Sequence, residues 1–496
     1  MNFRKLGLLT AIFTSLILTG CSKDKGDKGD TSEVVTTQIA PFSWQPLKAP
    51  NAQIKIINRF GEAVVGAQIL IGDAQGSPFR DNFLTTDRNG QVTVPSTWTT
   101  AAAITVSAQG YIRQSILNQN PGNMTIRVNT AYLASYPEVK GNVTDIPVVN
   151  KDKLADFALA MPMLTRQDLL TNFSLDQVIS PYMDNFSAAG QKMSVPSNVS
   201  LPTQKESYSI ITVTLDKPIY RIKTPTIGPK KFVAIRGRFV FKTVVDEFRA
   251  GKSFADLINK FTIIGGGIKD GVVTSPLTNL DLPGDAIQFT SQLKVNPSTP
   301  QSDEVALVLA GSEIDGYMMP TDVKRVTPGQ PTTLQSIPNR STQIVNFIKK
   351  QSEFMSTAPG SDRMSASMLP YSSTDQYKLL PLMANPQITN QGRYVITAQT
   401  LRADTGINPV ATTAVISDLI QTREGGETVT TPSRRWEIFS YGWQPQMVLP
   451  QWPLEGKGKR AAAKGRVEVK FIGSSTSVVP NTLDFATHVT NASTDF

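Results

Sequence analysis

The sequence predicts a mainly β, multi-domain protein, and three observations carry that prediction. Short runs that alternate apolar and polar residues recur along much of the 496-residue chain. That alternation is the period of a strand with one buried face. The 34 glycines and 33 prolines, with many Ser and Thr, suit frequent turns between such runs. The length leaves room for about three domains.

Composition narrows the chemistry. A hydrophobic share of 40% with 18% charged residues is ordinary for a globular protein. There is one cysteine, Cys21, and one histidine, His488. Together they are too few for the usual zinc ligand sets, so neither a metal nor a cofactor is expected. They also leave a single base for a Ser-His pair, near a chain end where fraying is common. The net charge of +9 suits solubility, and it suits an anionic surface or a polyanionic glycan. No basic-aromatic motif supports binding to nucleic acid.

Residues 1–20 read as a secretory leader. Arg4 and Lys5 form a short basic start, Leu6 to Leu18 is apolar, and Leu18-Thr19-Gly20-Cys21 ends the run. The apolar stretch is shorter than the roughly 20 residues that span a bilayer. The ending resembles the bacterial lipobox, Leu-x-Gly-Cys. That resemblance implies cleavage between Gly20 and Cys21, with diacylglycerol on the Cys21 thiol and an acyl chain on its new amine. Several chains on one residue anchor firmly, because each buried methylene adds about 0.8 kcal/mol. Ser22, rather than Asp, follows the cysteine, and by analogy with enteric bacteria this implies the outer membrane. Residues 21–50 then read as a tether: Lys23 to Asp30 alternates charge and has no apolar residue to bury.

Residues 51–130 carry strand signals at fairly regular spacing: Ile54 to Ile56, Gln68 to Ile71, Gln91 to Val94, Ile104 to Val106 and Met124 to Val128. Asn89-Gly90 sits where a tight turn needs positive φ angles. The pattern is that of a β-sandwich. Three stretches in order are Gly61-Glu-Ala-Val64-Val-Gly66-Ala67-Gln-Ile69, Thr86-Asp87-Arg-Asn-Gly90 and Val106-Ser-Ala-Gln-Gly110-Tyr111. They resemble the carboxypeptidase-regulatory-like or transthyretin-like domain, with Ala63 where that family usually has proline. The resemblance implies a seven-stranded sandwich that serves as a spacer or binding module and carries no peptidase chemistry.

Residues 131–330 read as a sheet-rich α+β domain. Leu154 to Leu159 and Asp168 to Leu170 have a helical look, as does Val244 to Lys260, with a break at Gly251 and a restart capped by Ser253. Lys231 to Phe241 and Ala286 to Val295 alternate as strands, and Val305 to Leu309 is apolar enough to be buried on both faces. Three apparent motifs fail. Ala250-Gly251-Lys252-Ser253 lacks the first glycine of a phosphate loop, since Asp246 stands there. No nucleotide fingerprint surrounds Gly265-Gly266-Gly267. Ser291 and Lys294 match a Ser-x-x-Lys pair by letter, but on a strand they face opposite ways.

Residues 331–496 return to strands: Arg393 to Leu401, Thr413 to Gln421, Thr428 to Thr430, Trp436 to Trp443 and Arg466 to Ile472, with Glu424 to Glu427 as a hairpin loop. A second β-sandwich is the simplest fold. Three of the five tryptophans lie in 436–452. On an extended strand Phe439, Tyr441 and Trp443 would share a face and, with Trp452, could form a platform for sugar rings. The more ordinary place for such rings is the sandwich core itself, where aromatics contribute most of the burial.

The expected protein is therefore a non-enzymatic envelope lipoprotein, held to the membrane through Cys21 and displaying β-sandwich domains to a glycan or a protein partner. Two alternatives stand beside it. One is a scaffold for an envelope assembly on the periplasmic face. The other is a glycoside hydrolase needing only two of the 40 carboxylates.

Overall fold

The computed structural model describes residues 42–46, 52–58, 61–73, 83–130, 137–145, 154–166, 170, 182–188, 191–203, 206–210, 219–223, 227–250, 254–353, 363–390, 393–402, 406–424, 427–451, 464–476 and 486–496. The protein is mainly β, with several sheets and short helices between residues 241 and 260. It divides into two compact units. The central unit takes residues 133–357 and 366–379; the terminal unit draws on both ends of the sequence, with 358–365 between them.

The N-terminal part of the terminal unit contains strands β1 (Gln53–Asn58), β2 (Gln68–Ile71), β3 (Gln91–Thr93), β4 (Ala102–Ser107), β5 (Tyr111–Gln119) and β6 (Gly122–Thr130). Along β1 every second residue is buried, so Ile54 and Ile56 enter the core while Lys55 does not. β1 pairs antiparallel with β3 and parallel with β6. β4 pairs with β2 and β5.

The turn before β3 explains the Thr-Asp-x-x-Gly run. Buried Thr86 donates its hydroxyl to the Val64 carbonyl at 2.7 Å and accepts the Ala67 N–H at 2.9 Å. Asp87 Oδ1 accepts the N–H groups of Asn89 and Gln91 at 2.8 and 2.9 Å. Gly90 alone takes the left-handed conformation, at φ 71°. A Cβ there would press on the Ile56 carbonyl, so the position requires glycine twice over.

The central unit contains β7 (Glu138–Thr144), β8 (Leu154–Pro162), β9 (Gly228–Val240), α1 (Phe241–Arg249), α2 (Phe254–Leu257), β10 (Phe261–Val273), β11 (Ser291–Pro297), β12 (Glu304–Ile314), β13 (Tyr317–Arg325), β14 (Thr332–Ser336) and β15 (Thr342–Lys350). The helical reading of Leu154 to Leu159 is overturned. The segment is strand β8, paired antiparallel with β9. Ala158, Leu159, Ala160 and Met161 are all buried. A strand buried on both faces reads as a continuous apolar run, which periodicity cannot tell from a helix. Of the second helical reading, residues 167–169 lie outside the described residues, as does Ser253. The third holds, since α1, α2 and a short 3-10 turn to Lys260 occupy its span.

Within the sheet β8-β9-β10, Phe157 faces Gly237 across the pair, and a Cβ on Gly237 would strike its ring. Phe157, Phe239 and Phe261 meet there with centroids 5.0–6.2 Å apart. On the other face of β9 the guanidinium of Arg238 donates to Asp156 at 2.6 Å. The Gly265–Gly267 run serves packing. Cβ atoms on these three would collide with the backbone of Ile287, Ala234 and Pro283, so glycine lets a neighbouring segment lie close on β10. The strand expected over Ala286 to Val295 is interrupted, since only Ile287–Gln288 and then β11 pair. Its alternation survives, with Phe289 and Val295 buried and Gln288, Thr290, Gln292 and Lys294 less so. β12 is buried from Val305 to Ser312, on both faces as expected, between β13 and β15.

The C-terminal part of the terminal unit contains β16 (Asn408–Glu424), β17 (Glu427–Tyr441), β18 (Gly465–Ser474) and β19 (His488–Asp495). β16 pairs with β17 and β18, and β18 with β19. Glu424 stands opposite Glu427, closing the expected hairpin. The runs expected as two strands, Thr428 to Thr430 and Trp436 to Trp443, are one strand that ends at Tyr441. His488 does not lie in a frayed tail: it is buried in β19, opposite Gly473, with Nδ1 2.7 Å from the Thr487 hydroxyl.

β17 also pairs parallel with β5, Trp436 opposite Arg113 and Phe439 opposite Ile116. The sheet of the C-terminal strands thus continues into the N-terminal strands. Trp436 Nε1 donates to Ser115 Oγ at 2.9 Å, and Ser115 exchanges a 2.7 Å hydrogen bond with Thr105. Arg113 lies 4.9 Å from the centroid of the Trp436 ring, in cation–π range. One core runs through Leu117, Ile416, Trp436, Ile438, Val467, Val469 and Phe471.

Candidate ligand-binding site

The aromatic residues of the last third do not form one exposed strip. Phe439 is 2% exposed and packs edge-on against Tyr441, centroids 5.2 Å apart. Burial raises the Tyr441 phenol above its ordinary value. Trp443 does not share their face. β17 ends at Tyr441, and Gly442, at φ 66°, turns the chain. The turn is held by Thr412, whose hydroxyl donates to the Gly442 carbonyl and accepts the Gln444 N–H, both at 2.8 Å. Trp443 then packs on Phe471, 6.3 Å between centroids, and donates Nε1 to the Ile472 carbonyl at 2.8 Å. The shared-face expectation fails because it assumed an extended backbone through Gly442. Trp452, Gly20 and Cys21 lie outside the described residues.

A different set of residues gathers around a cavity of about 310 Å³ in the central unit. It forms where β11 and β14 run antiparallel and the chain turns from β14 into β15. Ser291 and Ser336 are direct cross-strand partners. They stand beside Leu293 and Ile337, which supply an apolar wall. The turn Pro338-Asn339-Arg340-Ser341 forms the rim. Asn339 takes φ 57°, a left-handed conformation that asparagine tolerates. The Ser341 carbonyl is pinned by the Glu313 N–H at 2.8 Å, and the Ile337 N–H donates to Ser312 Oγ at 3.3 Å. Pro370 and Tyr371 also line the cavity. The Tyr371 N–H donates to the Thr342 carbonyl at 2.8 Å, and its phenol reaches the Lys294 carbonyl at 3.4 Å.

Asn339, Arg340 and Ser341 are exposed, whereas Ser336 is buried at the strand pair. Among the described residues, the side chains of Ser291, Ser336, Asn339, Arg340 and Ser341 make no hydrogen bond or ion pair with the protein. No carboxylate lines the cavity. Hydroxyls and a carboxamide both donate and accept, whereas the guanidinium only donates and carries a fixed positive charge. In the sequence Ser291 stands out only as part of a Ser-x-x-Lys match that fails, and nothing marks Ser336, Asn339, Arg340 or Ser341 for binding. Pro338-Asn339 is a turn signal, but which strand stands opposite the turn is a matter of register.

Among the described residues no group of three or more His, Cys, Asp or Glu side chains is arranged to hold a metal ion. No helix there is long and apolar enough to cross a membrane, which says nothing of strands.

No protein-family model matches the chain, and no curated protein matches it. Among solved structures, the chain shows similarity to the major pilin subunit BcpA of Bacillus cereus. A singly substituted variant of that subunit, with alanine in place of an aspartate, aligns over 71% of this chain and 93% of its own, at 10% identity and a TM-score of 0.15. The unsubstituted subunit aligns over the same shares at 11% identity and a TM-score of 0.13. At these TM-scores the likeness carries no argument.

Proposed function

We propose that this protein is a lipid-anchored component of a bacterial cell envelope that binds a glycan or a protein partner and catalyses no reaction. The observation that carries the anchoring is the leader, in which a basic start, an apolar run and Leu18-Thr19-Gly20-Cys21 follow in order. The resemblance of that ending to the lipobox makes Cys21 the acylated residue. The charged tether after it holds the β domains off the bilayer, and the outer membrane is the membrane concerned. The transthyretin-like reading of 51–130 supports a display role. In the central unit, a cavity lined by polar side chains that have no partner within the described part of the protein suits binding.

Cell fractionation tests the anchor. Cys21→Ala should leave the membrane fraction or remain at its uncleaved length, while the native chain is processed and membrane-bound. Retention of a processed Cys21→Ala protein in the membrane overturns the reading. Protease added to intact cells then separates display from scaffolding. Loss of the protein fits surface binding, whereas protection until the outer membrane is permeabilised fits the periplasmic scaffold.

A further inference from the structure

The binding reading leaves the ligand open, and the cavity between β11, β14 and the 338–341 turn narrows it. Its volume, about 310 Å³, lies at the small end of ligand pockets, which run from about 300 to 1,000 Å³. It therefore suits a single ring rather than a long chain. A ligand there meets two kinds of group. Leu293, Ile337 and Tyr371 give the cavity apolar surface, and Arg340, Asn339 and the serine hydroxyls are interleaved with them.

An inorganic anion needs donors throughout and gains nothing from an apolar wall. A purely apolar ligand would leave the serine and asparagine groups unpaired, which is costly. A neutral sugar satisfies the hydroxyls but makes no use of the guanidinium. Arg340 is exposed, and no carboxylate of the protein is within ion-pair distance of it among the described residues. A planar guanidinium matches a carboxylate through two parallel hydrogen bonds. A sugar ring with a carboxylate uses every group. The acid meets Arg340, the ring hydroxyls meet Asn339, Ser336 and Ser341, and the C–H face lies on Tyr371.

We propose that this cavity binds one carboxylate-bearing sugar, the acidic unit of an envelope glycan. The inference rests on the binding reading above, and it adds the place and the ligand class.

The experiment is calorimetric titration of the detergent-solubilised full chain with D-glucuronate, D-glucose and inorganic phosphate. Glucuronate should bind, with glucose about tenfold weaker or worse, the size of one charge-assisted contact. Phosphate should compete no better than glucose. Arg340→Gln should bring glucuronate down to the affinity of glucose, and its unchanged melting temperature would show that the exposed substitution leaves the fold intact. Equal affinity for glucose and glucuronate overturns the proposal, as do phosphate binding as tight as glucuronate, or an Arg340→Gln variant that still prefers glucuronate. N-acetylmuramic acid in a parallel titration separates the sources, since tighter binding than glucuronate points to peptidoglycan and weaker binding to a uronic-acid polymer. The titration is indifferent to where the chain is anchored, so its failure is distinct from that of the Cys21 fractionation test.

Discussion

At the scale of single residues, the turn at 86–90 concentrates several dependencies in a few side chains. Thr86 uses its hydroxyl as donor and acceptor in a buried position. Thr86→Val keeps the shape and leaves the Val64 carbonyl and the Ala67 N–H without that partner. The expected loss is about 1–3 kcal/mol of unfolding free energy in denaturant titration. Gly90→Ala should cost roughly 1–2 kcal/mol for the left-handed backbone alone, and more for the contact with Ile56. Asp87 is held below its ordinary 3.8, first by the Gln91 N–H and further by Asn89 and Arg88. A depressed carboxylate contributes stability above its unfolded value and loses it as pH falls through the folded one. Stability should therefore decline with acidification below about pH 3.8, and Asp87→Asn should show a shallower decline over that window. Trp443 is judged at this scale too. It is joined to Ile472 and stacked near Phe471, so Trp443→Ala should lower stability by roughly 3 kcal/mol, near the lower end for such truncations. Binding of glucuronate should not change.

At the scale of elements, what the sequence shows depends on whether a strand has one buried face or two. Ile54 to Ile56 and Ile287 to Val295 alternate in letters and in burial, so both were readable. α1 is readable because Lys242, Asp246 and Glu247 interrupt its apolar residues at helical spacing. Leu154 to Met161 was not, because alanine and leucine favour a helix while pairing with β9 buries the segment as a strand. Phe157 is the decisive residue there, since its ring lies over Gly237. Phe157→Ala should cost about 3–5 kcal/mol. Gly237→Ala should also destabilise, by displacing that ring, and the double variant should lose less than the sum of the two. A double-mutant cycle in denaturant checks this. Additive losses would mean that the ring and the glycine do not act as one packing unit. The shared face expected for Phe439, Tyr441 and Trp443 fails for a related reason, while Phe439 takes the core position those rings also suit. Alternation holds only while the backbone stays extended, and Gly442 ends that.

At the scale of the whole molecule, the feature least visible in the letters is the pairing of β5 with β17 across more than three hundred residues of sequence. Neither strand announces it. Alternation sets which residues point inward, but partner and register come from tertiary packing. The candidate cavity is unreadable for the same reason, since Ser291 and Ser336 become neighbours only through pairing. The β5–β17 junction carries buried polar links, Trp436 to Ser115 and Ser115 to Thr105, inside an apolar core. Trp436→Ala removes a buried ring and leaves Ser115 with one partner fewer. Its effect should cross from the C-terminal strands into the N-terminal ones. Hydrogen exchange read by mass spectrometry should show faster exchange in 436–441 and also in 102–119, because these strands share one sheet and one core. Peptides from 261–273 and 304–325 of the central unit should keep their protection. A variant that loosens only 427–441 would mean that the N-terminal strands stand without the C-terminal sheet. Joint loss over 102–119 and 427–441 would mean that the two ends of the chain form one cooperative unit, held closed by a core that neither end completes alone.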